Sequence, residues 1–195
     1  MKSFDESRIY SRSVSLTTMI FRETKIRGVY VIEPEKIQDE RGFFAHTWSR
    51  AEFEKHGLET DIIECNVSFN RKSGTLRGLH YQAAPHGQTK LVRCTRGAIY
   101  DVAVDIRPGS PTFRQWVAVE LSDRNHLMFY IPKELAHGFQ TLEDNTEVFY
   151  QVSSGYVPQT GRGVRWDDPA FGIAWPPVEN RIIIPRDREY PDFNV

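Results

Sequence analysis

Short runs of residues with high β propensity, separated by turn-forming residues, constrain the fold of this chain more than any other feature. Alternate residues of AIYDVAVDI (98–106) would share one face of a strand, namely Tyr100, Val102, Val104 and Ile106. Further runs of this kind are KLVRC (90–94), QWVAVEL (115–121), LMFYIP (127–132) and EVFYQV (147–152). Turn signals lie between them at PGSP (108–111), SDRN (122–125) and EDNT (143–146). This pattern predicts an all-β sandwich, barrel or jelly roll.

Helical signals are few. Ser49 and Glu52 form an S-x-x-E capping box, and Gly57 can end a short helix over residues 50–56. From about residue 166 the chain contains five prolines and little periodicity, so we expect loops and short turns that wrap the β domain.

Composition limits the class of protein. A chain of 195 residues with 39% hydrophobic residues suits one domain, which we place at 19–195, after a polar and poorly ordered extension at 1–18. The net charge of -1 gives no reason to expect nucleic-acid binding, and no run approaches the roughly 20 apolar residues of a membrane helix. The two cysteines, Cys65 and Cys94, have no metal-binding spacing, which favours reduced thiols in a cytoplasmic protein.

His80, in the glycine-flanked run GTLRGLHYQ (74–82), is the first candidate functional residue. Its spacing from Gly74, and the Pro132 to His137 spacing in PKELAH, partly match the metal-binding pattern of cupins. However, Gln82 stands where a second histidine would bind the metal. At most two ligands remain, whereas a catalytic metal needs about three, so we expect no metal and no cofactor.

Two other interpretations of His80 stay open on the residues alone. A single histidine is most often held in the core by a backbone group. Alternatively, Arg77 could reach the same pocket, because a turn at Gly78 would offset the opposite directions of residues three apart on a strand. A pocket that combines these two residues with side chains from other strands would suit proton transfer beside a carbonyl, and the candidates are Lys90, His137 and Tyr150.

Several ordered motifs resemble one enzyme family over about residues 19–191. They are RGFF (41–44), LRGLHYQ (76–82), KLVR (90–93), DVAVDIRPGSPTF (101–113), IPKELAHGF (131–139) and GVRWDDPAFGI (163–173). Together they resemble the dTDP-4-dehydrorhamnose 3,5-epimerases. The resemblance implies a cupin-like jelly roll (a double-stranded β-helix) with few short helices. It also implies a homodimer with exchanged N-terminal strands and no metal requirement.

The resemblance also implies a role for each catalytic candidate. The substrate would be a nucleotide-linked 4-keto-6-deoxyhexose whose C3 and C5 protons are acidic beside the C4 ketone. His80 matches the family's base, Asp187 the carboxylate that orients it, Tyr150 the acid and Lys90 a cation near the C4 oxygen. On sequence alone these would instead be a solvated loop carboxylate, a core tyrosine and a solvated strand-edge lysine.

Other matched positions would bind the nucleotide part of the substrate. Arg41 and Arg77 match arginines that bind the pyrophosphate, for which a guanidinium fork is suited. Surface ion pairing is the alternative for both arginines. Tyr156 matches a residue that stacks on the base, and Asn66 and His137 match substrate contacts.

The chain departs from the family pattern at contact positions rather than at the base or acid. His46 and Gly161 replace glutamates, Arg186 replaces a common lysine, and Glu64-Cys65-Asn66 replaces Gln-Asp-Asn. The proton chemistry is therefore expected to be kept while the exact substrate is open. The alternatives are a monoepimerase or a 3,4-ketoisomerase on a dTDP-, CDP- or UDP-sugar, and a non-catalytic metal-binding cupin.

Overall fold

A computed structural model of the chain describes residues 18–194. The prediction about residues 1–18 therefore falls, apart from Thr18, outside the described residues. The strands are β1 (Met19–Glu23), β2 (Tyr30–Pro34), β3 (Ile37–Asp39), β4 (Gly42–Phe44), β5 (Glu64–Asn70), β6 (Leu76–Gln82), β7 (Lys90–Arg96), β8 (Ala98–Asp105), β9 (Trp116–Ser122), β10 (Met128–Ile131), β11 (Leu135–Thr141), β12 (Thr146–Val152) and β13 (Gly161–Gly163). Two short α-helices, α1 (Arg50–Lys55) and α2 (Pro185–Arg188), and a 3-10 helix at Pro158–Thr160 complete the set.

Two antiparallel sheets make up the jelly roll. The first has the strand order β1-β2-β10-β7-β12-β5, and the second has the order β13-β6-β11-β8-β9. Strands β3 and β4 form a separate hairpin. The predicted all-β jelly roll with few short helices is confirmed. The predicted turn at 108–111 joins β8 to β9 within one sheet, and those at 122–125 and 143–146 lead from the second sheet to the first.

The main hydrophobic core lies between the inner faces of the sheets. Val92, Phe129 and Val148 come from the first sheet, and Ile99 and Phe139 come from the second. Their side chains are almost fully buried, so the hydrophobic effect stabilises the packing of the two inner faces against each other.

The outer face of each sheet is covered as well. Phe53 of α1 packs on the outer face of the first sheet with Leu91 and Met128. On the second sheet, Val102 and Val104 of β8 pack against the C-terminal segment, which contributes Phe171 among others. The C-terminal residues thus wrap the domain, as their prolines predict. Within residues 18–194, no helix is both long and apolar enough to cross a membrane.

Helix α1 forms where it was predicted, but the predicted capping box does not. Ser49 is the N-cap residue and its side chain makes no capping hydrogen bond. Glu52 instead accepts a hydrogen bond from the backbone N–H of Met19, at 3.0 Å, and so ties β1 to the helix. The bond between Glu52 and Met19 has thus taken the place of the predicted capping bond. The helix ends before Gly57, which has a φ of +67°.

A β-bulge in β6 brings Arg77 and His80 to the same face of the second sheet. His80 lies opposite His137 of β11, whereas Arg77 lies opposite Phe139, so the register shifts between the two pairs. Gly78, with a φ of +126°, occupies the bulge, where an added Cβ would lie only 2.5 Å from the Cα of Gly138. The turn expected at Gly78 is thus a bulge with the same effect on side-chain direction.

Candidate active site

A cavity of about 970 Å³ opens between the two sheets, beyond the end of the main core. All the predicted catalytic residues line it, and they come from different elements: His80 from β6, Lys90 from β7, Tyr150 from β12 and Asp187 from α2. The predicted substrate contacts that also line it are Glu64, Asn66, Arg77, His137, Tyr156 and Arg186.

His80 and Asp187 form a hydrogen-bonded pair. The Nε2 atom of His80 lies 2.8 Å from Oδ1 of Asp187, whose side chain is only 2% exposed, whereas the imidazole is 32% exposed. An ionised carboxylate can only accept, so Nε2 carries the hydrogen and Nδ1 is left free to take up a proton. Burial alone would raise the pKa of Asp187, but its bonds to His80, to the N–H of Gly78 and to Arg186 hold the pKa below the usual value.

A partly buried cation and a second histidine–aspartate pair lie beside this first pair. Burial lowers the pKa of Lys90 to about 8, although the negative charge of Asp101 opposes the shift. Nζ of Lys90 lies 3.4 Å from the backbone oxygen of His80. Nε2 of His137 lies 2.6 Å from Oδ1 of Asp101, and burial lowers the pKa of this histidine. The ammonium of Lys90 therefore lies beside the backbone of His80 in the cavity wall.

Tyr150 faces the cavity from the sheet opposite to that of His80. It lies across from Val92 of β7, and Lys90 points from the same inner face. Burial is the main cause that raises the pKa of Tyr150 above the ordinary value of 10, so its phenol keeps its proton at neutral pH. A proton acceptor and a proton donor thus face the cavity from opposite sheets.

Arg77 is held in the cavity wall by a buried amide. Its Nε donates to Oδ1 of Asn70 at 2.7 Å. The amide nitrogen of Asn70 donates to the backbone oxygens of Ser68 and Thr146, which fixes its oxygen toward the arginine. Nη2 makes one long contact, 3.5 Å, with the backbone oxygen of Phe69, and the remaining N–H groups of the guanidinium are available for an anion in the cavity.

Three of the residues that the resemblance marks as departures from the family pattern line the cavity, namely Glu64, Gly161 and Arg186. The hydroxyl of Tyr156 would lie 3.1 Å from a Cβ added at Gly161. Arg186 donates from Nε to Oδ1 of Asp187 at 3.1 Å, and its Nη2 lies 3.3 Å from Nε2 of His80. A guanidinium therefore approaches both members of the histidine–aspartate pair.

Two predicted substrate contacts, Arg41 and His46, do not line the cavity of their own chain. Arg41 lies in the turn between β3 and β4, has an 85% exposed side chain and pairs with Asp39. His46 follows this hairpin and packs beside Phe44. The hairpin thus holds both residues outside the cavity.

Sequence reasoning missed several residues that complete the site. Asp101 had no clear signal, because the alternation of Tyr100, Val102 and Val104 marks their face of β8 as the apolar one, whereas the fold turns the opposite face, with Asp101, inward. Asn70 and Tyr190 had none, because their places depend on contacts between segments distant in sequence. Within residues 18–194, no group of three or more His, Cys, Asp or Glu side chains could hold a metal ion. His80 and His137 are each paired with a carboxylate instead.

These features define the class of protein as a jelly-roll enzyme with an acid–base site between its sheets. The family model for dTDP-4-dehydrorhamnose 3,5-epimerase matches residues 23–194. The epimerase of that name from Sinorhizobium fredii is 42% identical over 178 residues, which cover 91% of each chain.

Solved structures agree with this similarity. The dTDP-4-dehydrorhamnose 3,5-epimerase of Bacillus anthracis, with TDP and PPi bound, superposes with a TM-score of 0.86 at 40% identity, covering 90% of this chain and 100% of that one. A 3'-monoepimerase from Streptomyces bikiniensis, in complex with dTDP-quinovose, gives a TM-score of 0.81 at 35% identity, covering 87% of this chain and 85% of that one. The present chain belongs to the dTDP-4-dehydrorhamnose 3,5-epimerase family.

Proposed function

We propose that this protein epimerises a nucleotide-linked 4-keto-6-deoxyhexose at C3 and C5, converting dTDP-4-dehydro-6-deoxy-D-glucose to dTDP-4-dehydro-L-rhamnose. Family membership supports the reaction. The observation that carries the mechanism is the arrangement of one cavity. His80 of the second sheet is paired there with Asp187 of α2, while Tyr150 and Lys90 face it from the first sheet.

His80 is the base in this proposal. Its free Nδ1 takes the proton from the carbon next to the ketone, the C–H electrons form the C=C bond of an enolate, and the ketone π electrons move to the C4 oxygen. The imidazolium that forms is stabilised by Asp187, which is ionised well below neutral pH.

Lys90 stabilises the enolate. An ammonium in a place largely shielded from water interacts strongly with a developing oxyanion. The pKa of about 8 leaves this group mostly protonated at neutral pH. Partial burial of the ammonium therefore strengthens its attraction to the negative charge that develops on the C4 oxygen.

Tyr150 is the acid. Its phenol gives its proton to the carbon from the face opposite the base, which inverts the centre, and the C=C electrons form the new C–H bond. The raised pKa of Tyr150 keeps it protonated until this step. The phenolate then regains a proton from solvent as the imidazolium loses one, so the reaction is a net isomerisation.

The nucleotide part of the substrate occupies the mouth of the cavity. Arg77, fixed by Asn70, binds the diphosphate, and Tyr156, which is 61% exposed, offers its ring for stacking on the base. Asn66 and His137 contact the substrate from the cavity wall.

A homodimer would account for Arg41 and His46. Ile37, Phe43 and Phe44 of the β3–β4 hairpin are about half exposed, which is an unusual apolar surface for a monomer. We propose that this hairpin packs on a second copy and brings the two polar residues to the partner's cavity. The exchange of N-terminal strands implied by the resemblance is part of this proposal. We also propose a cytoplasmic location, where the two free thiols would stay reduced.

A monoepimerase is the second candidate, because Glu64, Gly161 and Arg186 all line the cavity. A change in how the sugar is seated would present only one carbon to His80.

Deuterium exchange separates the two candidates. The protein is incubated with dTDP-4-dehydro-6-deoxy-D-glucose in D2O, and exchange is read at each carbon by NMR. Exchange at both C3 and C5 supports the 3,5-epimerase, whereas exchange at one carbon supports the monoepimerase. The absence of exchange with dTDP-, CDP- and UDP-linked substrates would overturn both.

A further inference from the structure

Gly163 of β13 lies directly opposite His80 of β6. Side chains at directly opposed positions of an antiparallel pair point to the same face, with Cβ atoms about 5 Å apart. The place of the missing side chain at Gly163 is therefore immediately beside the proposed base.

The ring of Tyr190 fills this place. A Cβ added at Gly163 would lie 2.2 Å from two ring carbons of Tyr190 and 2.7 Å from its hydroxyl oxygen. The glycine has no positive φ, so its backbone suits any residue and the space beside it is what Tyr190 requires. Glycine at 163 and tyrosine at 190 are thus complementary in shape.

Tyr190 also contacts the imidazole of His80. The two ring centroids are 6.3 Å apart with an interplanar angle of 74°, an edge-to-face arrangement. Tyr190 follows Asp187 by three residues, just beyond α2. The segment that supplies the carboxylate for Nε2 therefore also supplies an aromatic ring beside the imidazole.

Tyr190 is not an ordinary core residue. It lines the cavity and remains partly exposed, and no hydrogen bond to its hydroxyl occurs within residues 18–194. What the ring contributes is its shape. It occupies one side of His80, while the hydrogen bond to Asp187 fixes Nε2 at 2.8 Å.

We infer that Tyr190 is a positioning residue for the base, seated on Gly163, that holds the imidazole plane so that Nδ1 faces the substrate. The inference rests on the proposed function, because it takes His80 to be the base. Without the ring, Asp187 holds one atom of the imidazole and leaves its plane free to tilt. A displacement of this kind slows proton transfer more than it weakens substrate binding.

The test uses the full chain and compares Tyr190→Phe with Tyr190→Ala. Tyr190→Phe keeps the ring, so kcat should stay within about twofold of the unaltered protein. Tyr190→Ala removes the ring, so kcat should fall by about tenfold or more while KM changes less than about threefold. Thermal unfolding of both variants checks that the fold is retained.

Gly163→Ala gives an independent arm, because its methyl group would displace the ring of Tyr190. We expect a loss of kcat similar to that of Tyr190→Ala. In Gly163→Ala/Tyr190→Ala the methyl group has room, so the double variant should be no slower than Tyr190→Ala alone. If Gly163→Ala does not fold, the two substitutions at Tyr190 decide the question.

Three outcomes would overturn the inference: Tyr190→Ala with an unchanged kcat, a loss expressed only in KM, or equal losses in Tyr190→Phe and Tyr190→Ala. Multiplicative losses in the double variant would also count against it. His80→Ala, measured in parallel, separates the role of His80 as the base from the positioning role of Tyr190. If His80→Ala remains active, His80 is not the base and the inference fails with that assignment, whereas the absence of exchange in the unaltered protein would mean that the proposed function itself fails. If His80→Ala is inactive while Tyr190→Ala is normal, only the positioning role fails.

Discussion

The pKa values of individual side chains in the cavity are shifted from their ordinary values by burial and by neighbouring groups. Asp187 stays ionised because His80, Arg186 and a backbone N–H compensate for its burial. Lys90 has no such set of partners, so burial brings its pKa down to about 8. An ionised carboxylate and a cation with a pKa of about 8 therefore both lie close to His80.

The pH dependence of the reaction follows from Lys90. Its ammonium is present below pH 8 and is lost as the pH rises through about 8, so kcat/KM should fall over that range. Tyr150 does not contribute there, because its pKa is raised above 10. Steady-state rates between pH 6 and about 10 would measure this basic limb.

Lys90→Arg is the control for this assignment, because a guanidinium stays charged throughout the range. In Lys90→Arg the fall of kcat/KM should shift to higher pH, even if the variant is slower at every pH. A limb that stays near pH 8 in this variant would exclude Lys90 as its source.

Asn70 is expected to act through Arg77. In Asn70→Ala the bond to Nε is lost, so the affinity for dTDP should weaken by about tenfold, as for a hydrogen bond to a charged group. Titration calorimetry with dTDP measures the effect. In an Arg77→Ala background the same substitution should have little further effect on affinity. Equal losses in both backgrounds would contradict the coupling.

At the scale of single elements, the bulge in β6 should be intolerant of side chains. Gly78→Ala would place a methyl group against the backbone of β11 at a positive φ, so we expect a loss of about 3 kcal/mol or more in the free energy of unfolding. Gly57→Ala is the matched control, because its φ is also positive but nothing lies within 4 Å. It should lose only about 1 kcal/mol. Equal losses in urea unfolding would disprove the steric account.

The secondary structure of single elements could be predicted from the periodicity of their residues, whereas the contacts between elements could not. The strands and turns follow from local alternation and turn residues, so β7 to β10 and β12 lie where the sequence predicts them, whereas β11 was not among the predicted runs. The capping box was wrong because Glu52 binds the backbone of Met19, which no local pattern reveals. In the same way, the pairing of Asp101 with His137 and the place of Tyr190 depend on the register of distant strands.

For the whole molecule, the central prediction is dimerisation through the β3–β4 hairpin. Phe44 is 57% exposed, and Phe44→Glu would place a charge in the proposed interface. We expect this variant to sediment as a monomer and to lose activity, because Arg41 and His46 would no longer reach a second cavity. Glu179→Lys, at an exposed site in the C-terminal segment, should stay dimeric and active. A fully active monomer would contradict the proposal.

The fold of the whole molecule decides which of the substrate-contact positions that the resemblance marks as substituted lie close together. Motif similarity indicated the fold and the catalytic candidates, and two of these, His80 in LRGLHYQ and Lys90 in KLVR, lie within the recognised runs. It could not indicate which departures meet in space. The structure brings Glu64, Gly161 and Arg186 to one cavity, while His46 follows the β3–β4 hairpin outside it.

The most direct test of the account compares solvent exchange with net epimerisation in Tyr150→Phe, with His80→Ala as the reference. If His80 removes the proton and Tyr150 returns one to the opposite face, Tyr150→Phe should keep much of its deuterium exchange while losing most inversion. His80→Ala should lose both. Equal loss of exchange and inversion in Tyr150→Phe would contradict its role as the acid, and exchange that persists in His80→Ala would contradict the role of His80 as the base.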